Sequence, residues 1–108
     1  MTSGTKLNQI IVNSLEDIKA FDITVIDVRK KTSIADYMII ASANSNRQTK
    51  ALARHLKDTL KDIGKSVANI EGDGDGEWVL VDLNEVLVHI MLPTTRAYLI
   101  LKSFGNHN

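Results

Sequence analysis

The chain has 108 residues, the size of one domain with a single continuous core and too small for two. Thirteen basic side chains balance thirteen acidic ones, so net charge argues neither for a polyanion partner nor for an acidic substrate. No cysteine is present, which excludes a disulfide framework, thiolate metal sites and a cysteine nucleophile together.

Leu7, Ile10, Ile11, Leu15 and Ile18 recur at helical steps and predict a helix ending near Ala20. Residues 22–29 are rich in β-branched side chains and read as a strand, and Asp36 to Ala41 reads as a second. Ser45 followed by Gln48 has the spacing of a capping box, and Leu52, Leu56, Leu60 and Ile63 form the apolar stripe behind it. Gly64 is placed to end that helix in a left-handed conformation.

Val67 to Ile70 predicts a short strand and Glu71 to Glu77 a glycine-rich acidic loop. Trp78–Leu83 and Glu85–Leu92 then predict a hairpin turning at Asn84. Pro93 suits the first turn of a last helix through Arg96, Tyr98 and Leu101. The order helix, strand, strand, helix, strand, strand, strand, helix predicts one α/β domain over 1–108, a mixed sheet of about five strands with packed helices. Frayed ends are expected at about 1–4 and 105–108.

No N-terminal run suits a signal peptide and no apolar run is long enough for a bilayer, so the expectation is a cytoplasmic protein. Basic residues read as dispersed, apart from Arg29-Lys30-Lys31, a solvated strand end.

Catalytic motifs are weak. From Glu71 the acidic loop approaches a calcium-binding pattern, but its flanks read as strands where that motif needs helices. Asp27, Asp36 and Asp82 are the strand acids a metal-dependent nucleotidyltransferase would use. None has a second acid two residues along its strand, and no glycine-rich phosphate loop or nucleophile elbow occurs. His55 lies on the capped helix, His107 in the tail, and His89 mid-strand as a buried or interfacial structural histidine.

In the last hairpin Val79, Val81, Val86, Val88 and Ile90 alternate onto one face and Trp78, Leu80, Asp82, Leu87, His89 and Met91 onto the other. The second set mixes large apolar groups with a few polar ones, as a recognition surface does. Helices covering both faces would instead make Trp78 core. The residues alone leave both arrangements open.

Asp27-Val28-Arg29 followed by Ser33-Ile34-Ala35-Asp36-Tyr37-Met38 resembles the opening block of the ribosomal silencing factor, or Iojap, family. Glu71-Gly72, then Glu77-Trp78 and onward through Asp82, His89 and Met91, resembles its central signature. The resemblance runs from the first helix to Tyr98. It implies a nucleotidyltransferase-like fold without the catalytic acids, a protein that is not an enzyme and takes no cofactor or metal, and binding to the large ribosomal subunit through large-subunit ribosomal protein fourteen. Subunit joining would thereby be blocked and translation lowered when nutrients are scarce. It also implies homodimers through the same general surface, and neither membrane association nor sequence-specific nucleic-acid binding is expected.

Carried over by position, Trp78, Leu80, Asp82, His89, Met91 and Tyr98 would contact the ribosomal protein. Trp78 would be the apolar anchor, Asp82 and His89 would supply orienting polar contacts, and Tyr98 would pack at the edge of the patch. Asp36, Tyr37, Glu71 and Gly72 would shape loops or border the interface, Asp36 and Glu71 through backbone bonds. The family's final Leu-Glu-x-Leu-Trp is here Leu101-Lys102-Ser103-Phe104-Gly105, with Lys102 for the acid and no tryptophan.

Overall fold

The structure, a computed structural model, describes residues 3–105. It contains α1 (Ser3–Asp17), β1 (Phe21–Asp27), β2 (Tyr37–Ser42), α2 (Asn46–Asp62), β3 (Asn69–Glu71), β4 (Trp78–Asp82), β5 (Val86–Met91) and α3 (Pro93–Gly105), in the order the sequence pattern predicts. The expected frayed termini lie mostly outside the described residues, and helix is present at both limits of what is described.

The five strands form one sheet in the order β1-β2-β5-β4-β3. β2 and β5 run parallel, in register from Tyr37 beside Val86 to Ser42 beside Met91, and the other three pairings are antiparallel. A parallel pair needs a long crossover, and α2, β3 and β4 supply it.

One face of the sheet is the core. Ile39, Ala41, Val79, Val81, Val86, Val88 and Ile90 are fully buried there against Ile11 and Leu15 of α1 and Leu52, Leu56 and Leu60 of α2. Each of the valine, leucine and isoleucine side chains contributes about 1.5–3 kcal/mol on leaving water, and Ala41 less.

The ends of α2 are defined by hydrogen bonds. The Ser45 hydroxyl accepts from the Gln48 N–H at 3.1 Å. The Gln48 amide accepts from the Asn44 N–H, one residue before the cap, and donates to the Ile18 carbonyl at 2.8 Å. It thereby ties the start of α2 to the end of α1, which local spacing alone does not reveal. At the other end the Gly64 N–H bonds the Lys61 carbonyl and the Lys65 N–H bonds the Leu60 carbonyl, with Gly64 at φ +78°. This is the Schellman arrangement, in which a side chain would meet the left-handed penalty.

Gln48→Ala removes both amide bonds together with a longer one to the Lys19 carbonyl at 3.4 Å, and should lower stability by about 1–2 kcal/mol in urea denaturation. Gln48→Glu keeps the acceptor for Asn44 but loses the donor to Ile18, and should recover only part of that loss.

Candidate functional site

α1 and α2 both pack on the Val79/Val81 face, and the opposite face is open to solvent among the described residues except at its Ser42–Met91 end, where Arg96 of α3 reaches Ser42 and Thr24 and where Ser42 is buried. Register places three cross-strand rows on it. Ile26, Met38, Leu87, Asp82 and Asn69 form one row and Thr24, Ile40, His89, Leu80 and Glu71 the next. Ser42, Met91 and Trp78 form the third. Met38, Ile40, Leu80 and Leu87 are half-buried, and Trp78 is 41% exposed. Met38 and Ile40 escape a reading of the hairpin alone, because only the long-range β2–β5 pairing sets them beside Leu87 and His89.

Within this face Glu71, Gly72, Trp78, Leu80 and His89 line a cleft of about 270 Å³. The Trp78 indole N–H donates to His89 Nδ1 at 3.0 Å, with the rings tilted and 5.8 Å apart. A neutral imidazole accepting at Nδ1 carries its proton on Nε2. That nitrogen is buried and has no hydrogen-bond partner. An unpaired buried donor costs about 1–3 kcal/mol, and such groups concentrate where function overrides packing. Burial also pushes the His89 pKa below its ordinary value.

Gly72 holds the cleft from the other side. Its φ is +82°, and a Cβ there would stand 2.0 Å from the Trp78 carbonyl oxygen. The acidic loop that follows is anchored to α2, since the Thr49 hydroxyl donates to the Gly76 carbonyl.

The other residues singled out in the sequence fall in different places. Met91 is on the open face but only 3% exposed, so it backs the patch and presents no surface. Asp82 accepts from the Asn84 N–H at 2.8 Å, where Asn84 takes φ +72°, so its carboxylate shapes the hairpin turn. Glu71 accepts from the Asn69 side-chain amide at 2.8 Å and not from a backbone group. Asp36 does join loops through the backbone, its N–H to Glu85 and its carbonyl to Val28, by its main chain and not its carboxylate.

Tyr37 lies on the core-side parity, packed against the core with the Arg29 guanidinium 5.3 Å from its ring centre, away from the Trp78 cleft. Tyr98 is 60% exposed on α3 and outside the cleft. Two residues earlier Arg96 fastens α3 to the sheet, donating to the Asp22 carbonyl, Ser42 Oγ and Thr24 Oγ1. The Lys102 and Phe104 side chains lie outside the described residues, as does His107.

The described residues do not assemble a metal site. Among the described residues no three His, Asp or Glu side chains converge. Asp27 and Asp82 sit on β1 and β4 with two strands between them, about 14 Å apart at ~4.8 Å per strand. Two-metal transfer needs ions ~4 Å apart. Asp27 is instead held by Arg29, whose hydrogen bonds lower its pKa to about 2. The acidic loop is flanked by β3 and β4, not by helices.

His89 binds its proton more weakly folded than unfolded. Between its unfolded pKa of about 6.5 and its lower folded one, the unfolded state holds more protons and stability drops as pH falls. The melting temperature should decrease from pH ~7 to ~5, and less steeply in His89→Asn, which retains an acceptor near the indole. Gly72→Ala should cost about 2–4 kcal/mol and displace Trp78, read by denaturation and tryptophan fluorescence.

The family model described as "Ribosomal silencing factor during starvation" matches residues 2–104. The ribosomal silencing factor of Chromobacterium violaceum is 45% identical over 93 residues, which cover 86% of this chain and 76% of that protein. A crystal structure of a protein from the same organism superposes with a TM-score of 0.87 at 42% identity, covering 93% of this chain and 83% of that one. The "Mitochondrial assembly of ribosomal large subunit protein 1" of Mus musculus is 32% identical over 97 residues, 86% of this chain and 42% of that protein. With the two sequence blocks on one α/β domain, these matches show that the chain belongs to the ribosomal silencing factor family, a family of ribosome-associated regulators of translation.

Proposed function

We propose that this protein binds the large ribosomal subunit through large-subunit ribosomal protein fourteen and blocks joining of the small subunit, lowering translation when nutrients are scarce. The observation that carries this reading is the open sheet face with Trp78 exposed at one end of it, beside half-buried Leu80 and the His89 ring. An exposed tryptophan fixed by its own hydrogen bond is already ordered, so docking it loses little side-chain freedom. The mouse relative's name, which refers to the ribosomal large subunit, supports the choice of subunit.

The mechanism needs no chemistry. A specific interface buries ~1,200–2,000 Å² in total, within reach of one sheet face and its loops. Trp78 is the apolar anchor, Leu80 widens the contact and Tyr98 borders it from α3. Asp82 and Met91 act from within, holding the turn and backing Trp78. The protein works by binding and not by catalysis, in the cytoplasm. A second copy would use the same face, so dimerisation and ribosome binding compete. Among the described residues no helix is long and apolar enough to cross a membrane.

The test is co-sedimentation with separated ribosomal subunits. Binding to the large subunit alone is expected, weakened at least ~30-fold by Trp78→Ala, the hot-spot scale of ~2 kcal/mol. Unchanged binding by a folded Trp78→Ala protein would remove this face from the interface, and no binding to either subunit would overturn the reading.

A further inference from the structure

The basic residues that look dispersed along the chain are gathered by α2. Arg47, Lys50, Arg54, Lys57 and Lys61 follow one another at steps of three or four residues. Such steps place them in one stripe, about 21 Å long at ~1.5 Å per residue. The stripe runs along the flank of the helix, beside the buried side that Thr49, Leu52, Ala53, Leu56 and Leu60 occupy. Lys50, Arg54, Lys57 and Lys61 line a groove of about 390 Å³ that also includes Ile70 of the edge strand β3. Asp58 and Asp73 are the acids in its wall.

α2 carries two acids, Asp58 and Asp62, against these five cations. None of the five forms an ion pair among the described residues, whereas Arg29, His55 and Lys65 each do. Neighbouring like charges at these spacings oppose the helix, and Asp58 offsets only part of that. The groove offers no aromatic ring for stacking a base and one large apolar side chain, Ile70. A line of cations without stacking groups fits a polyanion read by its charge and not by its sequence.

We propose that the α2 groove docks the phosphodiester backbone of RNA in a sequence-independent way. The choice of RNA rests on the ribosome-binding reading above. The two surfaces meet at β3, where Ile70 lines the groove and the next residue, Glu71, lines the Trp78 cleft on the opposite face. One subunit surface curving around this short edge strand reaches both.

The experiment is equilibrium binding of the full chain to purified large subunits and, in parallel, to a labelled RNA duplex of arbitrary sequence, from about 50 to about 200 mM salt. Four phosphate contacts release enough counter-ions to weaken binding roughly 100-fold across that range. In Arg54→Gln/Lys57→Gln two contacts are gone, and the loss should shrink to about tenfold on both ligands, with the melting temperature maintained.

Trp78→Ala should weaken subunit binding without altering duplex affinity or salt dependence, which separates this groove from the sheet face. Wild-type salt dependence in the double variant overturns the proposal. A change seen on the subunit but with no duplex binding by either protein assigns the groove to an acidic protein surface, and also overturns it. If the chain does not bind subunits, the sheet-face reading fails, and duplex binding that responds to the double variant still sustains the groove as an RNA site.

Discussion

Parallel pairing of β2 with β5 at the centre of the sheet is the constraint from which the rest follows. Strands so paired cannot be joined by a hairpin, so α2, β3 and β4 must all fit into the connection between them. The register of that pairing sets Ile39 beside Val88 and Ile40 beside His89. A slip of one residue would turn Ile40 into the core and Ile39 outward. The dry face and the open face are therefore specified together.

That division explains why an apolar second face persists on a stable domain. α1 and α2 both pack on the valine-rich side, and α3 reaches the other side only at its Thr24–Ser42 corner through Arg96, so the cleft around Trp78, Leu80 and His89 has no helix over it among the described residues. Stability and recognition thus come from opposite parities of the same strands. The residues between them serve both: Gly72 lets the loop close on the Trp78 backbone, and Met91 backs Trp78 without reaching solvent.

His89 shows the cost of this arrangement. Its Nδ1 orients the indole, and its Nε2 is left buried and unpaired. A larger apolar residue would pack without that penalty but would leave the indole N–H without its acceptor. The ring is thus best understood as the support that fixes the exposed tryptophan before any partner arrives.

The sequence by itself determined the local elements. Apolar spacing along α1 and α2, the Ser45 cap, Gly64, Asn84 and Pro93 each act within a few residues, and each is found where pattern predicts it, save that α1 ends at Asp17 short of Ala20 and Ile63 caps α2 exposed instead of extending its apolar stripe. The parity of the β4–β5 hairpin was equally legible, because alternation is a property of the strand alone. Only the tertiary structure decided whether the second face was covered, which signature residues share the Trp78 cleft, and that Asp82, Met91 and Tyr37 point their chemistry elsewhere. It also decided that neutral composition conceals a basic groove, since lysines and arginines spaced along a chain become a surface only when a helix aligns them and an edge strand closes the other wall. Local geometry is written in neighbouring residues, whereas a site is made by residues distant in sequence, and their meeting depends on the packing of the whole domain.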